Sequence, residues 1–210
     1  DGIKSLSKVL NLKGKVLPLS EDNVVLMGIM NDGEKIEGEH NITEYKSGIK
    51  DIYYKTPPKI NPEVIKEIKE ADMIILSMGS LYTSVICNLI SDDVVRAIDE
   101  SKGKILYVCN MFTQPGETDD YTVSDHIKTL NNHLGKRKID TVIVNDGKIP
   151  KEFILKYHRE EEKDPVVIDK DEINKLNVNV IKDDFIKLRD KGLKHNSIKL
   201  SLRIFEELIK

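Results

Sequence analysis

Two polar segments carry the residue types that binding chemistry needs. The first is Ser77-Met78-Gly79-Ser80-Leu81-Tyr82-Thr83-Ser84, in which a glycine and several hydroxyls follow an apolar run. Free backbone N–H groups at such a strand-to-helix turn, helped by the Ser80, Thr83 and Ser84 hydroxyls, form a cradle for an anion such as phosphate. The pattern lacks a full glycine-rich fingerprint, so it equally describes an ordinary βα turn with a serine N-cap. The second segment runs from Asn110 to Tyr121 and hangs from the end of another apolar run. It exceeds the roughly 2–6 residues of most βα loops. The side chains of Asn110, Thr113 and Gln114 suit hydrogen bonds to a sugar or a base edge. Pro115-Gly116 fits a type II turn that would hold Gln114 and Thr118 in place. The competing reading is a surface loop whose Asp119, Asp120 and Ser124 cap the next helix.

Other titratable residues point less sharply. Asp125-His126 stands early in a helix, where Asp complements the helix dipole; no Ser or Cys nucleophile pairs with it, and capping explains it. His133 and His158 have no ligand-spaced partners. Glu160-Glu161-Glu162 reads as a solvated helix end. Lys194-His195, ahead of the last helix, could give positive charge to a phosphate or lie in an exposed loop. Tyr157 reads as a packing residue. No catalytic residue, metal ligand set or cofactor follows from these patterns.

The elements that must position these segments come from periodicity. Asp72–Ser77, Lys104–Cys109 and Thr141–Val144 are continuous apolar runs, as expected of strands covered on both faces. Helices are expected between them, at Pro62–Ala71, from Gly79-Ser80 through Leu89, at Asp92–Ser101 and at Val123–Leu134. This βαβ spacing predicts a mostly parallel sheet with helices on both faces, in an α/β sandwich. Residues 15–55 read as a small antiparallel insertion. Its strands are expected at Lys15–Leu19, Val24–Met30, Glu34–Glu39 and Ile49–Lys55, with a turn at Asn31-Asp32-Gly33. After Pro150 the pattern gives a helix at Lys151–Arg159, a strand at Pro165–Ile168 and a helix at Lys170–Leu176. A strand at Val178–Ile181 and a terminal helix at Ser197–Ile209 follow. That last helix is expected to bury Ile198, Leu202, Phe205 and Leu208, with Asn196 or Ser197 as its cap. Ile3 to Leu12 has mostly helical spacing.

Composition bounds the function classes. The chain has 210 residues, 33 Lys and Arg against 36 Asp and Glu, and a net charge of −3. That balance argues against a nucleic-acid backbone footprint, though not against a local basic pocket. No apolar run approaches the roughly 18 residues of a spanning helix, so no membrane insertion is expected. Cys87 and Cys109 lie in apolar contexts and read as reduced residues of a cytoplasmic protein.

Several longer strings are more specific than spacing. GSLYTS at 79–84, CNLI at 87–90, YVCN at 107–110, TQPGETD at 113–119 and YTVSDH at 121–126 resemble the YvcK-type gluconeogenesis factor family. That family belongs to the CofD-like superfamily. LSKVLNLKGKVLP at 6–18, NDGEKIEGEHNI at 31–42 and VIVNDGKIPKEFILKY at 142–157 extend the resemblance over essentially the whole chain. The resemblance implies a Rossmann-like sandwich with a β-rich insertion. It also implies a non-catalytic regulator that binds UDP-sugars, notably UDP-N-acetylglucosamine, and influences cell-wall synthesis and cell shape. A homo-oligomer is expected on the same ground; the downstream protein partner has no signature. The alternative is the transferase branch, which moves a phospholactyl group onto a deazaflavin with a divalent metal. GSLYTS and TQPGET stand where that branch has other motifs, which favours the regulators. Through the resemblance, the expected ligand-binding residues are Gly79, Ser80, Thr83, Ser84, Asn110, Thr113 and Gln114. Tyr157 joins them by matching a tyrosine of the sugar-nucleotide-binding members. Lys194 stands for their C-terminal Arg, keeping the charge and losing the bidentate fork.

The family usually has Gly-Pro where Ser77-Met78 stands. Its glycine-rich phosphate loop, DDGG-type loop and His-x-x-Gly-Asn segment have no counterpart in these residues. Residues 1–210 are therefore expected to be the C-terminal portion of a single CofD-like domain, and to bind UDP-sugar weakly or not at all on their own.

Overall fold

The computed structural model describes residues 13–189 and 192–210; the helix expected at residues 3–12 lies outside them. Its centre is the parallel sheet that the apolar runs require. Strands β4 (Met73–Leu76), β5 (Lys104–Val108), β6 (Thr141–Asn145) and β7 (Asn179–Asp183) lie side by side in that order, all parallel. Leu76 pairs with Tyr107, and Val108 with Ile143. Alternate residues then face opposite ways; β5 and β6 are apolar on both faces because both are covered, whereas β4, expected to be covered likewise, lies at the sheet edge and leaves Ile75 exposed. Ile105, Tyr107, Val142 and Val144 pack in the larger core with Val94 and Ile98 of helix α3 (Asp92–Glu100). Ile127 and Leu130 of helix α4 (Val123–His133) join them. Leu106, Val108 and Ile143 face the other way, onto Phe185 and Leu200. Each such side chain contributes about 1.5–3 kcal/mol over leaving it in water.

The remaining elements follow the local signals closely. Helix α2 (Pro62–Glu70) starts with Pro at its first turn, and the Asn61 side chain accepts from the Glu63 N–H. Gly103 leads into β5 so close to α2 that a Cβ would strike the Ala71 carbonyl oxygen. The insertion is a three-stranded antiparallel sheet: β1 (Leu26–Met30) lies between β2 (Lys35–Glu37) and β3 (Ile49–Tyr54). Gly33, at φ 92°, makes the expected turn. Helix α5 (Lys151–Glu161), helix α6 (Lys170–Asn174), the hairpin of β8 (Ile186–Arg189) with β9 (Gly192–His195), and helix α7 (Ser197–Leu208) complete the chain.

Five local expectations are corrected. Lys15–Leu19 is not a strand, and a short helix α1 (Glu39–Glu44) replaces the end of the returning one. Pro165–Ile168 makes only isolated bridges, Pro165 with Phe112 and Val167 with Thr122, because Pro165 has no N–H to donate. After Gly79 the chain forms a π turn at Leu81–Val85 and a 3-10 turn at Ile86–Asn88 instead of an α-helix. Finally, α7 is turned over. Ile198, Leu202, Phe205 and Leu208 are exposed, while Leu200 and Glu207 are buried and Ile204 packs on the second core. The helix has two stripes of plausible spacing, and charges decide between them. Asp183 at the end of β7 takes Lys199 at 2.5 Å and Arg203 at 2.7 Å, and Glu207 reaches Lys104.

Candidate functional site

Because β4 and β5 are parallel neighbours, the loops leaving their carboxyl ends lie together, where open α/β sheets place ligands. They enclose a crevice of about 220 Å³. Gly79, Ser80, Asn110, Thr113 and Gln114 all line it, so five of the sequence-derived residues meet in one place. Two side-chain amides stitch the loops together. The Asn110 amide N–H donates to the Gly79 carbonyl at 3.1 Å, and that of Gln114 donates to the Ser80 hydroxyl at 2.9 Å. Those bonds fix which way each amide faces. They leave the Asn110 Oδ1 and Gln114 Oε1 atoms buried with no partner among the described residues. A buried acceptor without a donor costs about 1–3 kcal/mol, a cost that a donor on a bound molecule removes.

The second loop is held rigidly. Gly116 has φ 78°, as the expected type II turn needs, and the Glu117 N–H closes that turn on the Gln114 carbonyl at 3.0 Å. A Cβ at Gly116 would also crowd the Tyr45 carbonyl at 2.9 Å, so the insertion braces the loop. Thr113 is buried and exchanges two bonds with the backbone of Asp164, one from its N–H at 2.8 Å and one to its hydroxyl at 3.0 Å.

The anion cradle expected over residues 79–84 is already engaged. Glu117, only 3 % exposed, accepts from the Tyr82 N–H at 3.2 Å and from the Thr83 hydroxyl at 2.8 Å. Burial pushes its carboxyl above the usual carboxylate range, and the bonds from Thr83 and Tyr82 partly offset this. Thr83 therefore joins the two loops instead of facing the crevice, and Ser84 is exposed outside it.

Tyr157 and Lys194 do not line the crevice either. The Tyr157 ring packs on Phe112 with centroids 4.8 Å apart, and its hydroxyl accepts from the Leu193 N–H at 3.0 Å. It positions the β8–β9 hairpin. On that hairpin the two-residue period of a strand points Lys194 to solvent and its neighbour His195 inward, to the crevice. Burial lowers the His195 pKa, and its contact with the Cys109 carbonyl opposes this. Lys163 also lines the crevice and pairs with Glu161 at 2.6 Å. Neither residue carries a motif; only the strand alternation of β9 could have favoured His195 over Lys194.

Elsewhere the titratable groups are structural. Asp125 completes a capping box with Thr122. His126 is fully buried, its Nδ1 is 2.9 Å from the Thr122 carbonyl, and burial lowers its pKa. His133 reaches Asp51 at 3.4 Å, and His158 reaches Asp164 at 3.0 Å. Among the described residues no cluster of three metal-ligating side chains occurs, and no helix is long and apolar enough to cross a membrane.

Sheet, insertion and crevice together define a Rossmann-like α/β protein. The chain belongs to the family described as 2-phospho-L-lactate transferase CofD, which it matches over residues 1–186. It is 41 % identical over 201 residues to the gluconeogenesis factor of Bacillus subtilis strain 168, covering 95 % of this chain and 63 % of that protein. To the gluconeogenesis factor of Halalkalibacterium halodurans it is 39 % identical over 207 residues, covering 98 % and 64 %. A crystal structure of a UPF0052 family member from Bacillus halodurans superposes with a TM-score of 0.91 at 38 % identity, over 97 % of this chain and 66 % of that one. The chain thus spans less than two thirds of the length of these relatives.

Proposed function

We propose that the protein binds a UDP-sugar of the UDP-N-acetylglucosamine type in this crevice, without turning it over. On this reading it is a cytoplasmic regulator, a gluconeogenesis factor like its named relatives, linked to cell-wall synthesis and cell shape and acting as a homo-oligomer. The observation that carries the reading is the pair of unpartnered amide oxygens on Asn110 and Gln114, both at the crevice. Sugar hydroxyls and base N–H groups are the donors such oxygens take. Lys163 and His195 bring amine and imidazole groups to the same lining, which suit an anionic diphosphate. Among the described residues the lining contains no carboxylate, the usual anchor of the divalent metal that the transferase alternative needs.

Saturation-transfer NMR with UDP-N-acetylglucosamine tests this on the 210-residue chain, because it registers binding even at millimolar strength. Transfer is expected, weakened severalfold by Gln114→Leu, with the nucleotide sugar recovered intact. No transfer to the chain at all would overturn the binding reading. Hydrolysis, or transfer of a phospholactyl group to a deazaflavin, would overturn the non-catalytic one.

A further inference from the structure

Helix α7 turns one apolar stripe to the sheet and a second one to water. Ile198, Leu202, Phe205 and Ile209 each keep more than half of their surface exposed. They recur at intervals of four, three and four residues, so they stand in one row along the helix. Ile198, Leu202 and Phe205 border a shallow groove of about 530 Å³, which Ser197 and Ser201 also line. A contiguous row of large apolar side chains along about 18 Å of helix is the kind of patch that marks an interaction surface.

We infer that this row joins two copies of the chain, through antiparallel α7 helices related by a twofold axis that passes between residues 203 and 204. The inference rests on the homo-oligomer part of the proposed function, to which it gives a contact surface, and uses nothing at the crevice. The row is its own complement. In such a pair each residue faces the one equally far beyond the axis on the partner. Ile198 then faces Ile209, and Leu202 faces Phe205, so each large apolar side chain meets another. Ser201, small and exposed beside Leu202, leaves space for the partner's phenyl ring. The charges agree with this pairing. Lys199, Arg203 and Glu206 lie along one flank of the row, and the twofold axis brings the two charged flanks together. Glu206 of each copy falls between Lys199 and Arg203 of the other, about 3 Å from each along the helix axis. Asp183 already holds both cations in place, at 2.5 Å and 2.7 Å. A parallel pair would instead lay the charged flank against the partner's Ser197 and Ser201 side, with no opposite charge across the interface. One helix row supplies less than the roughly 800 Å² per partner of a standard interface, so the dimer is expected to be weak, with a Kd of about 10–100 μM.

Sedimentation equilibrium of the 210-residue chain, loaded from micromolar to millimolar concentration, tests this. A monomer–dimer equilibrium is expected. Leu202→Asp and Phe205→Asp change side chains that the monomer leaves in water, so each is expected to keep the Tm of the dilute chain and to weaken the dimer roughly tenfold or more. Glu206→Lys is expected to weaken it severalfold. Mixing an Ile198→Cys chain with an Ile209→Cys chain under oxidation is expected to give the mixed disulfide in preference to either homodimer. A chain that stays monomeric at millimolar concentration would overturn the inference together with the homo-oligomer reading. A dimer that survives both aspartates would overturn this interface and leave the homo-oligomer standing. Preferential disulfides between two Ile198→Cys chains would overturn the antiparallel pairing. Nucleotide-sugar binding is read separately by saturation transfer, so failure of the dimer and failure of the crevice are told apart.

Discussion

Glu117 is the most exacting test of how the two site loops are joined. It is buried, and its carboxylate satisfies the Tyr82 N–H at 3.2 Å and the Thr83 hydroxyl at 2.8 Å. Glu117→Ala leaves two buried donors without an acceptor. At about 1–3 kcal/mol per stranded group, partly relieved by entering water, the expected loss is about 3 kcal/mol. For a chain of this size that lowers Tm by roughly 6–12 °C. Thr83→Val alone removes one bond and costs about 1 kcal/mol, and added to Glu117→Ala it costs almost nothing further, because both act on the same bond. Glu117→Gln keeps an acceptor and removes the charge. The native carboxyl lies above its ordinary value of 4.5 through burial, so the folded state holds its proton more tightly than the unfolded chain does. Stability is then lost as pH rises through that raised pKa. Wild type is expected to weaken relative to Glu117→Gln from pH 4.5 upward toward neutrality. Thermal melts of the five proteins at several pH values measure all of this. Additive Thr83 and Glu117 effects, a Glu117→Ala melt within about 2 °C of wild type, or a wild-type disadvantage that grows on acidification would refute the latch.

Two further outcomes follow from the geometry. Asp183 is held down to about 2 by its bonds to Lys199 and Arg203, against an ordinary 3.8. Its folded pKa is depressed, so the stability it supplies is present above about 3.8 and disappears as pH falls toward 2. Peptic cleavage of α7, compared with that of an unstructured control peptide at each pH, is expected to accelerate over that interval in wild type, and Asp183→Asn, which starts without the ion pairs, shows little such acceleration. Tyr157→Phe strands the Leu193 N–H while keeping the ring on Phe112, so it is expected to cost about 1 kcal/mol of stability. If Tyr157 acts by positioning His195, the same variant weakens nucleotide-sugar binding severalfold and moves the His195 resonances, whereas Lys194→Ala leaves both unchanged.

Much of the molecule was legible in the sequence. Continuous apolar runs at 104–108 and 141–145 mark strands covered on both sides, as in a parallel sheet with layers on each face, while the run at 73–76 forms the sheet's edge with Ile75 exposed. Once that sheet is accepted, its polar carboxyl-end loops must converge, which is why Gly79, Ser80, Asn110, Thr113 and Gln114 meet at one crevice. Caps and turns were legible for the same local reason: Thr122 with Asp125, Asn61 with Pro62, and Gly33 each satisfy their own neighbours. What tertiary structure alone decided are choices between local equivalents. Helix α7 carries two usable stripes, and Asp183, some 20 residues earlier, selects the one that buries Leu200. The backbone N–H of Tyr82 is a free donor in any sequence reading, until a carboxylate 35 residues away occupies it. Likewise Lys194 and His195 are interchangeable as charges in a string of letters. A strand must turn one of them outward, and the register of β8 on β9 with the Tyr157 bond determines that it is Lys194. Local sequence sets the elements because their hydrogen bonds close within a few residues; which face each element shows depends on partners that only folding brings near.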